Sequence, residues 1–262
     1  MFAFLFDLPL AISGPAIILV LCLFAIGGLL FVRRRLLPNW RVRIEDSEFA
    51  GAMVQSVLVF YGLAVALIAV RVWQNYSDVS KIVSQEATAL AALYRDVTGY
   101  PEPARSQLQK HLRDYVSYVI DQAWLLQRGG KVPHGGVGHM NLFQATLFAS
   151  EPVTEGQKLL HAETLRAYNH MMLSRRMRLD TVSTGLPVVM WVVVAAGAVI
   201  GLSASFFFNI DEIRLHMVLV VLLATFIGLV IFMILALDRP FRGDLGIPPD
   251  PYQLIYDQLM KS

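Results

Sequence analysis

The chain has 262 residues, of which 56% are hydrophobic and only 16% charged, where soluble proteins average about 25% charged, and its formal net charge is +2. That balance excludes a soluble globular enzyme, a disordered chain and a large basic nucleic-acid binder. The single cysteine, Cys22, excludes a disulfide scaffold.

The apolar excess is gathered into four runs, 11–32, 49–70, 186–208 and 215–237, each at least 22 residues long and free of Asp, Glu, Lys and Arg. A bilayer core about 30 Å thick is crossed by about 20 apolar residues in a helix, so four transmembrane helices are expected. Residues 1–10 hold Asp7 and no basic residue, and Arg33-Arg34-Arg35 follows the first run in place of a small-residue cleavage site. The first run therefore reads as a retained helix rather than a signal peptide. The second is the odd one, carrying Gln55, Ser56, Tyr61 and Gly62 among aliphatics. Polar side chains on a span face either a partner helix or a water path.

An insert, 71–180, separates spans two and three and carries 13 Lys/Arg against 10 Asp/Glu. Val79, Ile82, Val83, Ala87, Leu90, Leu93, Tyr94 and Val97 follow helical spacing, with Glu86 as a polar interruption. No breaker separates span two from this pattern, so one long helix is expected, ending at Gly99-Tyr100-Pro101 and Pro103. A second helix follows, with Leu108, Leu112, Tyr115, Val116, Val119, Ile120 and Ala123 on one face. A glycine-rich connector, 129–138, leads to a short helix at 141–148. Thr154-Glu155-Gly156-Gln157 then has the capping-box pattern and opens a helix running to about residue 180. In span three, Gly197 and Gly201 form a Gly-x-x-x-Gly packing face. Asp211-Glu212 reads as a solvated turn and helix start before span four, and 238–262 is a polar tail. The fold class is an all-α membrane protein: four transmembrane helices with a helical extramembrane insert between spans two and three.

Basic residues near span ends divide six against eight. Arg33, Arg34, Arg35, Arg41, Arg43 and Arg214 lie on one side; Arg71, Lys81, Arg166, Arg175, Arg176, Arg178, Arg239 and Arg242 lie on the other. This leans only slightly towards a cytoplasmic insert, and the dense 33–43 cluster argues the other way.

Enzyme chemistry finds no purchase. Gly135-Gly136-Val137-Gly138 lacks the Gly-Lys-Ser/Thr of a phosphate loop and the strand of a dinucleotide fold. His134 and His139 flank that connector, while His161, Glu163 and His170 lie on one later helix. His161 and Glu163 diverge, and His161 and His170 face oppositely, so neither pair grips a metal. No Gly-x-Ser-x-Gly element is present. The expectation is no enzyme, no metal and no cofactor. The four spans hold no Asp, Glu, Lys or Arg, which disfavours a proton-coupled pump. A channel gated by an apolar constriction needs none. One four-span subunit is too small to enclose a pore easily, so a pore would be shared around a ring axis.

Phe60-Tyr61, followed by apolar positions and Arg71-Val72-Trp73-Gln74-Asn75-Tyr76, resembles the pore helix of the bestrophin ion channels and its exit. Leu237-Asp238-Arg239-Pro240-Phe241-Arg242-Gly243-Asp244 resembles the segment after that family's last span. More closely, the chain is similar to the bacterial bestrophin-like group of four-span proteins. It shares Glu86-Ala87-x-x-Leu90-x-x-Leu93-Tyr94-Arg95, Arg175-x-x-Arg178-Leu179 and Leu237-Asp238-x-Pro240-Phe241-x-Gly243 with that group. Two departures stand out. The step from Phe60-Tyr61 to Arg71 is about three residues longer than in bestrophins. The acidic run that clasps calcium in animal bestrophins has no counterpart, since Asp244, Asp250 and Asp257 are scattered.

The resemblance implies a homo-oligomer, a pentamer, in a bacterial inner membrane, with the insert in the cytoplasm and span two lining an axial pore for inorganic ions. It implies an apolar neck on that helix, for which Phe60 is the first candidate, then Ser56 and Leu63, with Val59 beside them. Arg71 would stand at the pore mouth, where several copies focus a positive potential that favours anions such as chloride; an interfacial arginine beside Trp73 is the other reading. The expected partners are the lipid bilayer, further copies of the chain and ions, with no nucleic acid. A rival reading is a non-conducting membrane interaction protein whose insert docks a partner, with Gln55 and Ser56 buried between helices. A third, a membrane enzyme using the insert's histidines, predicts bound metal.

Overall fold

The computed structural model describes residues 9–36, 44–208, 210 and 212–261, for 44–50 the backbone alone. Arg41, Arg43 and Asp211 lie outside the described residues. The helices are α1 (Leu10–Phe31), α2 (Ile44–Asp96), α3 (Ala104–Tyr118), α4 (Trp124–Arg128), α5 (Gly136–Phe148), α6 (Glu155–Thr181), α7 (Val188–Ser205), α8 (Ile213–Asp238) and α9 (Asp250–Ile255). No strand occurs among the described residues. Four helices are long and apolar enough to cross a bilayer, and the chain is an all-α integral membrane protein.

Local chemistry accounts for most helix ends. α1 begins directly after Pro9 and passes into a π turn, Val32–Leu36, that carries Arg33, Arg34 and Arg35. α2 runs unbroken from its apolar half to Asp96 and then tightens into a 3₁₀ turn, Val97–Gly99, ahead of the Pro101 and Pro103 breakers. α6 opens on a complete capping box. The Gln157 amide donates to Thr154 Oγ1 at 3.2 Å, and the Thr154 amide donates to Gln157 Oε1 at 3.1 Å. α5 starts at Gly136, five residues before the expected helix, so the last glycines of the connector are helical. Gly135 and Gly136 lie against the Tyr118 and Tyr115 rings, where a side chain would collide. Glycine here permits close packing, which is how a helix begins inside a glycine-rich stretch.

The chain divides into two compact units, Met1–Gln74 with Gly185–Asp238, and Asn75–Thr184 with Arg239–Ser262. The first holds α1, α7, α8 and the first half of α2. Its core is Ala25, Leu29, Val32, Ala198, Leu202, Phe206, Val220 and Ala224, with a smaller cluster of Val65, Val72, Val194 and Ile234. Small residues let the helices approach. Gly14 faces Phe232, Gly28 faces Phe206, and Gly228 lies against Ile18.

The second unit is a helical domain around Val79, Val83, Leu90, Leu93, Leu108, Leu112, Tyr115, Phe143 and Met171. The polar tail belongs to this unit. Phe241, Ile247, Tyr252 and Met260 are buried in its core, and Trp124 Nε1 donates to the Ile247 carbonyl at 3.0 Å. Gly243 holds the turn that enters the tail at φ 71°, a left-handed conformation that glycine adopts without penalty.

Gly197 meets the Tyr61 ring with no room for a methyl group, whereas Gly62 has nothing within 4 Å of such a group. Gly197→Ala is therefore expected to cost about 1–3 kcal/mol and to lower the thermal midpoint of the detergent-solubilised protein by several degrees. Gly62→Ala is expected to leave the midpoint unchanged or slightly raised. Equal midpoints for the two variants would contradict this packing.

Candidate functional site

Two arrangements stand out, one in each unit. In the first, α2 packs by a single stripe. Val65 and Val72 are buried on it. The Tyr61 hydroxyl donates to the Val194 carbonyl at 2.9 Å while its ring covers Gly197, and Leu58 lies over Gly201. Both glycines singled out in span three thus face α2. The opposite side of α2 is bare: Phe60 is 73% exposed, Val59 63% and Leu63 58%, with Leu67 and Val70 also exposed. Only 6% of the apolar window of α2 is buried, against 17–33% for the other three spans.

With 100° per residue, Ser56, Phe60 and Leu63 fall within an arc of about 60°, while Val59 sits about 100° from Phe60. Arg71, eleven residues beyond Phe60, lies three turns on, within about 20° of the same line and about 16 Å further along the axis. It is exposed as well. Ser56 donates its hydroxyl to the Ala52 carbonyl at 2.9 Å, and Gln55 lines an open groove with Leu58 and Phe208. Both polar residues are exposed rather than wedged between helices of the chain.

In the second unit, Glu86 and Arg178 are 0% and 1% exposed and form a two-pronged ion pair. Arg178 Nε donates to Glu86 Oε2 at 2.6 Å and Nη2 donates to Oε1 at 3.2 Å. Nη1 donates to Gln127 Oε1 at 2.7 Å, and the Tyr115 hydroxyl donates to Glu86 Oε1 at 2.8 Å. The guanidinium also lies 5.7 Å from the centroids of both the Trp124 and the Tyr252 ring. Five elements, α2, α3, α4, α6 and α9, thereby converge on one cation. Burial holds the Tyr115 phenol far above its usual range, the adjacent Glu86 charge adding to the effect, and burial does the same to Tyr252. Burial works against the Arg178 charge, but Glu86, Tyr252 and Tyr115 together outweigh it and hold the guanidinium in its charged form. With both carboxylate oxygens and the guanidinium engaged by side chains of the same unit, this centre works as a clasp. Glu86 and Arg178 each belong to a motif quoted from the sequence, but nothing in that reading brought the two together.

The histidines do not assemble a metal centre. His161 Nδ1 is 2.9 Å from the Tyr100 hydroxyl, His139 lies beside the Tyr118 ring, and His134 and His170 are exposed. His111 has its pKa lowered, first by burial and then by the charge of Lys110. Among the described residues no group of three or more His, Cys, Asp or Glu side chains is placed to hold a metal ion.

The Bestrophin-like domain is the family whose model matches this chain, over residues 19–252. No curated protein and no solved structure matches it significantly.

Arg178→Met strands a buried carboxylate and is expected to destabilise the second unit by about 3–5 kcal/mol, whereas Glu86→Leu with Arg178→Met should recover most of that loss. Denaturant unfolding followed by tryptophan fluorescence measures both, and a double variant as weak as the single one would contradict the pairing. Tyrosines of the unfolded chain ionise near pH 10, while Tyr115 stays protonated in the fold. A raised native pKa means that stability is fully present below pH about 10 and declines as pH climbs past it. Tyr115→Phe should flatten that alkaline decline in unfolding curves recorded between pH 8 and 11.

Proposed function

This chain belongs to the bestrophin-like family, and on that premise we propose that it is an oligomeric ion channel whose conducting path runs along the outward face of α2. The observation that carries the reading is that face. α2 is the least covered of the four spans, and its bare side is an apolar stripe, Phe60, Leu63 and Leu67, on a helix that carries Arg71 in line with Phe60. An apolar face on a membrane helix is compatible with lipid alone. A bestrophin-like subunit is instead expected to turn this face towards its own copies, around an axis that no single subunit encloses. Phe60 with Ser56 and Leu63 then forms the neck, where a partly dehydrated ion passes an apolar ring. Val59 sits to its side. Arg71 stands at one mouth, and its copies concentrate anions, so chloride is the favoured ion.

The exposure of Gln55 and Ser56 supports this reading over the rival interaction protein, which expects both between helices. A pentamer in a bacterial inner membrane, with the second unit in the cytoplasm, completes the proposal. It is a conduit and not an enzyme.

Recording from purified protein in planar bilayers under a chloride gradient tests this. The reversal potential is expected to follow chloride. Phe60→Ala is expected to change conductance or the permeability order among anions, and Arg71→Glu to lower anion preference several-fold. A reversal that tracks sodium would remove the arginine mouth, and a folded oligomer that passes no current would remove the channel.

A further inference from the structure

The second unit contains a cleft of about 500 Å³, within the range of small-molecule sites of about 300–1,000 Å³. It lies between the turn that follows α2, the start of α3, the end of α5 and the first turns of α6. Its walls are largely apolar, formed by Tyr100, Pro101, Pro103, Ala149, Pro152 and Leu160. Its charged lining residues are Glu102 and Glu151, with no Lys or Arg; Gln107, Thr146, Ser150 and Gln157 are neutral polar, and the His161 ring nitrogen is held against the Tyr100 hydroxyl at 2.9 Å.

The backbone chemistry around the cleft has the same sign. Two helices begin there, and helix N-termini ordinarily attract anions. Both are already occupied by the chain itself. At α6, Thr154 Oγ1 accepts the Gln157 amide, and Gln157 Oε1 accepts the Val153 and Thr154 amides. At α3, Glu102 Oε2 accepts the Ser106 amide at 3.2 Å and its hydroxyl at 2.6 Å, and Arg105 Nε donates to Glu102 Oε1 at 2.8 Å. A helix carboxyl end also borders the cleft, that of α5, where Ala145, Thr146, Ala149 and Ser150 line it. That end carries the negative pole of its helix. Asp96, which lies close to Tyr100 and Glu163, adds further negative potential; its pKa is raised by burial and then by the Glu163 charge. Arg105 offsets Glu102, but Glu151 makes no ion pair or hydrogen bond among the described residues.

We propose that this cleft binds a small organic cation, an ammonium group carried on an apolar body. The ammonium is directed to Glu151 and the carboxyl end of α5, and the apolar body to the proline and tyrosine walls. This site is independent of whether the protein conducts ions.

The test uses the full-length protein in detergent at fixed ionic strength, titrated calorimetrically with benzylamine, benzyl alcohol and benzoate. Benzylamine is expected to bind saturably at one site per chain and benzoate not at all, with benzyl alcohol well below benzylamine. Glu151→Gln should weaken benzylamine up to about fivefold, the range of one exposed ion pair. Ala149→Trp, at an exposed position on the cleft wall, should abolish the binding while leaving the thermal midpoint intact. Absence of saturable benzylamine binding, benzoate or benzyl alcohol binding as tightly, or benzylamine binding that survives Ala149→Trp would each overturn the proposal.

Discussion

The second unit turns on one cation. A guanidinium removed from water is tolerable only when its N–H groups are all answered and an opposite charge lies against it. Arg178 approaches that condition: it donates to both oxygens of the Glu86 carboxylate and to the Gln127 amide oxygen, and two aromatic rings lie against its guanidinium. Satisfying it fixes much else. Glu86 and Arg178 are 92 residues apart, so the end of α6 must return to the last quarter of α2. Gln127 and Trp124 require the short α4, and Tyr252 requires the tail to fold back into the core. Arg175, one turn before Arg178, lies 5.9 Å from the Tyr115 ring centroid and so braces the same tyrosine that caps Glu86. A pair of this kind adds less to net stability than an equally packed apolar cluster would, but it admits fewer alternative arrangements, because any slip of one element leaves a charge unanswered.

The membrane unit is held by other means. With no hydrophobic drive between helices in hydrocarbon, association depends on close packing and a few polar contacts. Glycines at positions 14, 28, 197 and 228 each sit under a neighbouring side chain, and the polar contacts are modest: Tyr61 to a backbone carbonyl, and Cys22 Sγ 3.5 Å from Thr225 Oγ1. α1 and α8 satisfy one another in this way. α2 does so along one stripe only, which leaves it dependent on something outside the chain, either lipid or another subunit.

Spans, the long α2, its proline stop and the capping box of α6 were all legible in the sequence, because each rests on short-range physics: transfer to hydrocarbon, helix periodicity, and one side chain capping a nearby amide. The start of α5 at Gly136 was not, since glycine reads as a breaker unless the tyrosine rings packed on it are known. Nor was the tail's place in the core, where Phe241, Ile247, Tyr252 and Met260 are too widely spaced among prolines to form a periodic face. The Glu86–Arg178 clasp left one trace. Glu86 interrupts an otherwise apolar stripe, and a carboxylate on a buried face demands a cation. Which of the insert's many basic residues would answer it is a matter of tertiary structure.

That same stripe bears on the outward face of α2. Buried positions recur every seven residues, Val65, Val72, Val79, Glu86 and Leu93, and the opposing positions Phe60, Leu67, Gln74, Lys81, Thr88 and Arg95 are all exposed. Seven residues fall about 20° short of two full turns, so both lines drift slowly around the helix together and stay on opposite sides of it. Along that outward line the chemistry changes once: aromatic and aliphatic through Leu67, then amide, ammonium, hydroxyl and guanidinium. The second half of the line is polar without being uniformly positive, because Lys81 Nζ donates to Asp78 Oδ1 at 3.2 Å. Packing that buries Glu86 against Arg178 fixes which side of this half of α2 is turned inward, and so leaves Thr88 and Arg95 exposed.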